Sequence, residues 1–344
     1  NELLSTISIT SPDQYQIFQR DGSDEASVTV SGTYTGTPTN IEYQIDSGAW
    51  ATLEASPTGG TFSGSVTLSA GESSIGVRFS NDTGVTDSVS NVRVGDVFGW
   101  IGQSNQAGAL TNGQSYTGTN PSSVYDESGS WINLPNSYKD PGEVAYSVLP
   151  LLASLIEADQ SVPVGFVCET KSGTGLCSPD ADWTKGGTNY DAFVASVSAA
   201  GINDIKAFLW YQGERDIVNS IARATYSAAE SQMLDDLQSD TGFSKPLISA
   251  MVAHYTTEGR DDVDAIRLAK SDNWDGDADI YAGPTGHDQD FADGLHWTTD
   301  AEATTLSQRW WRCIEAAIYS GTESGRGPQF SSANRNGPSV TVTF

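Results

Sequence analysis

The sequence holds only three histidines, His254, His287 and His296, so any serine activated by imidazole must draw on one of them. The stretch Val97 to Asn105, VFGWIGQSN, is a short apolar run that breaks at Gly102 and delivers Ser104 into a polar turn. A rigid strand that ends in glycine is one way to fix a nucleophilic hydroxyl, because glycine relieves the steric strain of the turn. His296 lies in FADGLHWTTD, three residues after Asp293. That spacing lets one short loop hold both groups, with the carboxylate on one ring nitrogen and the other nitrogen free for the serine. His254 ends a strand-like run and could line the same cleft. His287 competes, although its acidic neighbour Asp288 is adjacent in sequence, so the two side chains would diverge. The chemistry suggested is acyl transfer.

A serine nucleophile also needs donors for the developing oxyanion. Its own backbone N–H is one. The segment Lys171-Ser172-Gly173-Thr174-Gly175 follows a second strand-like run, and Gly173 offers an N–H that a substrate can approach closely. A third run ends in LWYQGERD, where the Gln212 amide would reach the same space. Singly, each feature has a plainer reading: a polar turn, a surface histidine beside an acid, a flexible glycine pair, a strand-end amide capping backbone. Together they place a serine, a glycine and an amide at the ends of three successive strands, closed by D-x-x-H.

This combination resembles the SGNH (GDSL-like) hydrolases, and within them the branch of sialate O-acetylesterases and plant-type acetyl esterases. The residues that carry the resemblance are Gly102-Gln103-Ser104-Asn105, then Trp210-Tyr211-Gln212-Gly213-Glu214-Arg215-Asp216, then Asp293-Gly294-Leu295-His296-Trp297-Thr298. It spans about Gly95 to Gly321. It implies a three-layer, flavodoxin-like α/β domain with a parallel sheet. It also implies a serine esterase that removes O-acetyl or other short acyl groups from a carbohydrate or polysaccharide through an acyl-enzyme. Ser104 is then the nucleophile, His296 the base and later the acid, and Asp293 its orienter, with Ser104, Gly173 and Gln212 as the oxyanion hole. The second motif departs from the branch, reading SGTG where GGT or GGS is usual, which leaves Gly175 as an alternative to Gly173. Gln103, Asn105, Glu214, His254 and His287 stand as substrate contacts or as scaffold behind the site. No cofactor and no metal is expected, since no CxxC or paired Cys/His spacing occurs.

The elements that must hold these residues follow from periodicity. After Gly95 apolar runs at Val97 to Ile101, Val162 to Cys168, Ile205 to Tyr211, Pro246 to Ala253 and Asp279 to Ala282 alternate with helix-length segments. The spacing predicts helices from Asp140 (a good N-cap followed by Pro141), over Tyr190 to Ala200, Ile221 to Leu237 and Val263 to Ser271, and from Asp300 to Tyr319. Such alternation argues for a parallel sheet with helices on both faces and ligands at the carboxyl ends of its strands. The segment Leu110 to Lys139 reads as a long polar loop forming one wall of the cleft. Before Gly95 the chain reads all-β: six or seven short strands between turn clusters such as SPTGG and SNDTG, as in an immunoglobulin-like sandwich. The expected division is 1–94 accessory β domain, 95–320 catalytic domain and 321–344 tail with a terminal strand, SVTVTF, which returns to the β domain or begins another module.

Composition narrows the partners. Of 344 residues, 44 are acidic and 17 basic, a net charge of −27. Nucleic acid and anionic membrane surfaces are thereby disfavoured, because phosphate attraction becomes repulsion. No apolar run is long enough to span a membrane, so no membrane insertion is expected. Three cysteines leave a Cys168–Cys177 bridge and free thiols both open. The expected setting is extracellular, periplasmic or on a cell or virion surface, with an acetylated carbohydrate as substrate and no oligomeric state specified. The rival readings are an esterase of non-sugar short-chain esters, and a carbohydrate-binding or structural appendage built on an esterase fold.

Overall fold

The computed structural model describes residues 4–253, 258–289, 291–321, 326 and 332–343. Its first strands are β1 (Thr6–Ser11), β2 (Ile17–Gln19), β3 (Glu25–Thr35), β4 (Asn40–Ile45), β5 (Ala51–Ala55), β6 (Thr61–Ser69) and β7 (Gly71–Phe79). Antiparallel β1, β3 and β6 form one sheet. Antiparallel β5, β4 and β7 form a second group that continues into β8 (Thr86–Gly102). Strict alternation drives the pairing: in β3 Ala26, Val28, Val30 and Tyr34 point inward. They meet Phe62, Val66 and Leu68 of β6 and Ile41, Ile75, Val77 and Phe79 of the second group in one apolar core.

β8 is the spine of the molecule. Its first residues alternate in exposure and pair antiparallel with β7, whereas everything from Val92 to Gly102 is buried. The buried half is the central strand of a parallel sheet, where both faces are covered and an unbroken apolar run is tolerated. No linker interrupts it at Gly95-Asp96, where the composition of the chain changes.

The rest of the chain supplies α1 (Ser104–Ala107), β9 (Ser123–Asp126), β10 (Ser130–Asn133), α2 (Leu149–Gln160), β11 (Val164–Thr170), α3 (Thr188–Ala200), β12 (Ala207–Tyr211), α4 (Glu214–Val218), α5 (Arg223–Thr241), β13 (Leu247–Ser249), α6 (Arg260–Gly276), β14 (Ile280–Ala282) and α7 (Asp300–Ile318). The strand order is β10-β9-β11-β8-β12-β13-β14, parallel except for the edge strand β10. Alternate residues of β8 serve opposite cores. Phe98 and Trp100 pack with Leu149, Leu152 and Ile156 of α2 and Trp310 and Ile314 of α7. Val97 and Ile101 face the side covered by Phe193 of α3, Met233 and Leu234 of α5 and Ile266 of α6. Helices thus flank a mixed sheet on both faces. Among the described residues no helix is long and apolar enough to cross a membrane.

Several expectations are corrected. The helix predicted from Asp140 begins only at Leu149, with Pro150 in its first turn. Asp140 is buried and accepts a hydrogen bond from Thr170 Oγ1 at 2.5 Å, Glu143 N–H closes a turn on the Asp140 carbonyl, and Tyr146 exchanges backbone hydrogen bonds with Leu110, so 140–148 is a sequence of turns tied to that bridge. The segment Leu110 to Lys139 is not wholly loop, since β9 and β10 form a hairpin within it. The strand expected over Pro246 to Ala253 is regular only over β13. Cys168 and Cys177 are unbonded and lie in different cores on opposite faces of the sheet, which forbids a bridge. The terminal strand β16 (Ser339–Thr343) pairs with β15 (Ser332–Asn336) in an exposed hairpin.

Candidate active site

The site forms where β8, β11 and β12 end. Gly102 has φ of 146°, and a Cβ there would lie 2.3 Å from the Tyr211 carbonyl oxygen, so only glycine fits. Gln103 N–H then donates to that same carbonyl at 3.0 Å, locking the turn. Ser104 follows as the first residue of α1, and its Oγ lies 2.9 Å from His296 Nε2. His296 Nδ1 lies 2.8 Å from Asp293 Oδ2. A carboxylate can only accept, so Nδ1 carries the proton and Nε2 is left to accept from the serine hydroxyl.

The loop that carries this pair is tightly specified. Asp293 Oδ1 accepts from the N–H groups of Leu295 and His296, at 2.9 and 2.8 Å. Burial pushes the Asp293 carboxyl up, but these bonds and the imidazole outweigh it and hold the group below the usual carboxylate range. Immediately afterwards Thr299 and Glu302 form a reciprocal capping box that starts α7. Asn105 ties the loop to the serine turn: its Nδ2 donates to Glu214 Oε1 at 2.7 Å and to the Leu295 carbonyl at 3.3 Å, and its Oδ1 accepts from Trp297 N–H.

Opposite the histidine, the loop after β11 is anchored by Lys171 N–H on the Gly102 carbonyl and by Ser172 N–H on Glu143. Gly173 follows with φ of 78°. The alternative donor Gly175 is already committed, its N–H pointing at Asp182 Oδ2 at 3.0 Å. A cleft of about 320 Å³ opens above the serine, lined by Gln103, Ser104, Gly173, Glu214, Leu295 and His296 together with Ser172, Arg215 and Val218.

Gln212 stands differently from the expectation. It is fully buried and does not line the cleft. Its Nε2 lies 2.5 Å from Asp216 Oδ2 and 3.2 Å from both Gln103 Oε1 and the Thr174 carbonyl, so both amide hydrogens are engaged inside the protein. Asp216 explains the choice. It also receives the N–H groups of Leu176 and Cys177, and it sits one helical turn beyond Gln212. Glu214 is nearly buried beside the histidine, with Oε2 unpartnered, and burial raises its pKa against the pull of Asn105.

His287 does not enter the constellation. His287 Nδ1 is paired with Thr285 Oγ1 at 2.7 Å, and Asp288 is taken up by Arg309. His254 lies outside the described residues. Sequence reasoning had not singled out Ser172, Arg215, Val218 or Leu295. The last three had a signal in their positions beside motif residues: Arg215 follows Glu214, Val218 lies one turn on, and Leu295 precedes His296. Arg215 is not a free cation, for its guanidinium makes a two-point pair with Asp180 at 2.6 and 3.2 Å. Among the described residues no group of three or more His, Cys, Asp or Glu side chains could hold a metal ion.

The sequence family described as carbohydrate esterase, sialic acid-specific acetylesterase matches residues 94–312. Among solved structures, a carbohydrate acetylesterase from Xanthomonas citri superposes with a TM-score of 0.65 at 18% identity, over 97% of this chain and 81% of that one. A protein from Arabidopsis thaliana superposes at 0.53 with 19% identity, over 65% of this chain and 98% of that one. At such identities these likenesses speak for the fold. No curated protein sequence matches the chain.

Proposed function

This chain belongs to the family of sialic acid-specific acetylesterases, carbohydrate esterases that are carboxylic ester hydrolases, and we propose that Ser104, His296 and Asp293 carry out its reaction. The observation that carries the reading is the continuous line Ser104 Oγ–His296 Nε2–Asp293, with contacts of 2.9 and 2.8 Å. Ser104 attacks the acetyl carbonyl while His296 takes its proton. The imidazolium is held by Asp293, then returns the proton to the departing sugar oxygen. Water repeats the sequence on the acyl-enzyme and releases acetate. The backbone N–H groups of Ser104 and Gly173 are the main-chain donors to the oxyanion; neither has a partner among the described residues.

The sugar is uncharged on this reading, which departs from the anionic sialic acid in the family's description. The one arginine lining the cleft is neutralised by Asp180, and the chain carries a net charge of −27, which repels an anionic sugar. Residues 1–94 are read as an immunoglobulin-like accessory domain, 95–320 as the catalytic domain and 321–344 as a tail. The setting is read as extracellular, periplasmic or on a cell or virion surface. The test of the triad is Ser104→Ala: acetyl ester hydrolysis falls by roughly 10⁴ to 10⁶ in kcat and labelling by a fluorophosphonate probe is lost. Near-wild-type turnover by that variant ends the reading.

A further inference from the structure

The short helix α4 forms one wall of the cleft, to which it contributes Glu214, Arg215 and Val218. Asn105 fixes its place beside the histidine loop, since the same carboxamide nitrogen binds Glu214 and the Leu295 carbonyl. Arg215 N–H fixes its place beside the serine turn, donating to Gln103 Oε1 at 3.3 Å. An acetyl group fills only a small part of a cleft of about 320 Å³. The departing oxygen must come to His296 Nε2 to receive its proton, so the alcohol that carries it extends on the histidine side, where α4 stands.

Two features of this wall suit a neutral sugar ring. Val218 is 41% exposed and is, among the described residues, the one exposed large apolar side chain that lines the cleft. It follows Arg215 by three residues, so both lie on one face of the helix. Arg215 gives Nε and Nη2 to Asp180 at 2.6 and 3.2 Å, and Asp180 is itself pinned by Asn219 Nδ2 at 2.6 Å. The pair cancels the charge yet uses one edge of the guanidinium. Nη1 has no acceptor among the described residues, so oriented donors remain on a planar group that carries no net charge with its partner. A sugar ring presents the matching chemistry: hydroxyl oxygens that accept around its rim and C–H bonds across its faces.

We propose that Arg215 and Val218 form the subsite for the departing sugar, with Arg215 Nη1 donating to a hydroxyl of the ring and Val218 packing against its C–H face. The proposal rests on the reading of Ser104 as nucleophile and His296 as the acid that protonates the sugar oxygen. Both contacts are made to a part of the substrate that does not react. They hold the bound ester and its transition state alike, so their loss falls on KM more than on kcat.

Hydrolysis of 4-nitrophenyl acetate and of acetylated xylo- and cello-oligosaccharides by the full chain tests this with Arg215→Met, Arg215→Lys and Val218→Ala, alongside Ser104→Ala. The nitrophenyl leaving group has no hydroxyl to offer Arg215. On the sugar ester that the wild type cleaves better, kcat/KM of Arg215→Met falls roughly 10- to 100-fold, mainly through KM, and the loss exceeds that on 4-nitrophenyl acetate by about fivefold or more. Arg215→Lys keeps a cation opposite Asp180 without the planar edge and shows the same imbalance between substrates. Val218→Ala raises KM for the sugar ester about three- to tenfold. Its side chain is exposed, so this variant stands as the test if the Arg215 variants do not fold. If α4 were scaffold alone, Arg215→Met would slow both substrates equally and through kcat, by disturbing Ser104 and His296. That outcome overturns the proposal, as does Arg215→Met within about threefold of wild type on the sugar ester, or a wild type that cleaves neither sugar ester. In each of these cases, loss of 4-nitrophenyl acetate hydrolysis in Ser104→Ala leaves the nucleophile standing. Activity in Ser104→Ala removes the nucleophile and the proposal with it.

Discussion

At the scale of single residues, the site depends on which lone pairs and hydrogens are already taken. Asp293 accepts two backbone N–H groups and the imidazole, so it orients His296 without competing for its proton. Replacing it with alanine should lower kcat roughly 10²- to 10⁴-fold, less than loss of Ser104, because the histidine keeps its contact with the serine. Steady-state hydrolysis with retention of fluorophosphonate labelling checks this, and equal losses in the two variants would contradict it. Asn105 has a different part. Its carboxamide joins the serine turn, the histidine loop and the buried Glu214, so Asn105→Ala strands a buried carboxyl and should cost about 1–3 kcal/mol in thermal unfolding. The spacing of Asp293 and His296 could be read in the sequence, because three residues of loop suffice to bring them together. The direction of Gln212 could not. It is decided by Asp216, and the sequence does not say that Asp216 also collects the N–H groups of Leu176 and Cys177 and is thereby held beneath the cleft.

At the scale of elements, the acidic residues around the loop after β11 act as braces. Thr170 donates its N–H to Glu127 and its hydroxyl to Asp140, and Ser172 donates to Glu143. Burial is the chief influence on Asp140 and pushes its carboxyl up to about 7, against the hydrogen bond from Thr170. Its Oδ1 is buried with no donor to stabilise a negative charge. The sign follows from linkage. The native state binds this proton more tightly than the unfolded chain, whose aspartate titrates near ~3.9, so the contribution is complete below that pH and is lost as pH rises towards 7. Thermal melts should show wild type and Asp140→Asn alike near pH 4. The variant should gain on the order of 1.4 kcal/mol per pH unit between about 4 and 7. A constant difference across that range would refute the assignment. The same residue shows why a helix start was misread. Asp140-Pro141 has the chemistry of a cap, but its carboxyl is claimed by Thr170 on a neighbouring strand, and a cap motif carries no trace of that competitor. The long strands and α7 were legible because their apolar positions repeat over many residues. The strand read over Pro246 to Ala253 is too long, because β13 has too few residues to show where its period stops, whereas the run at Asp279 to Ala282 falls within one residue of β14.

At the scale of the whole molecule, Asp96 is where distant parts meet. It is fully buried, yet receives Arg20 through two nitrogens at 2.9 and 2.8 Å, Tyr319 OH at 2.7 Å and Lys206 at 3.4 Å. Arg20 lies in the N-terminal β region and Tyr319 caps the end of α7. Arg20→Ala should therefore destabilise the entire chain by about 3–5 kcal/mol, because it leaves a buried carboxylate poorly compensated. Calorimetry should show a single unfolding transition moving to lower temperature; loss of only an early, partial transition would show that the two regions melt apart. The net charge also acts at this scale. If the cleft takes neutral sugars, kcat/KM for an acetylated neutral oligosaccharide exceeds that for an acetylated sialic or uronic acid at low ionic strength, and added salt narrows the gap. A preference for the anionic sugar would reverse this reading. Sequence composition located the change of character at Gly95, but it could not show that the backbone passes through that point as one uninterrupted strand, because strand continuity depends on partners supplied by other segments.

That continuity bears on how the molecule is made. A chain leaves the ribosome N-terminus first. The first half of β8 finds β7 as soon as it emerges, while the partners of its second half, β11 and β12, are still to be translated. The newborn N-terminal sheet therefore holds out a half-paired strand as a template, with Ser104 just beyond its tip before His296 and Asp293 exist.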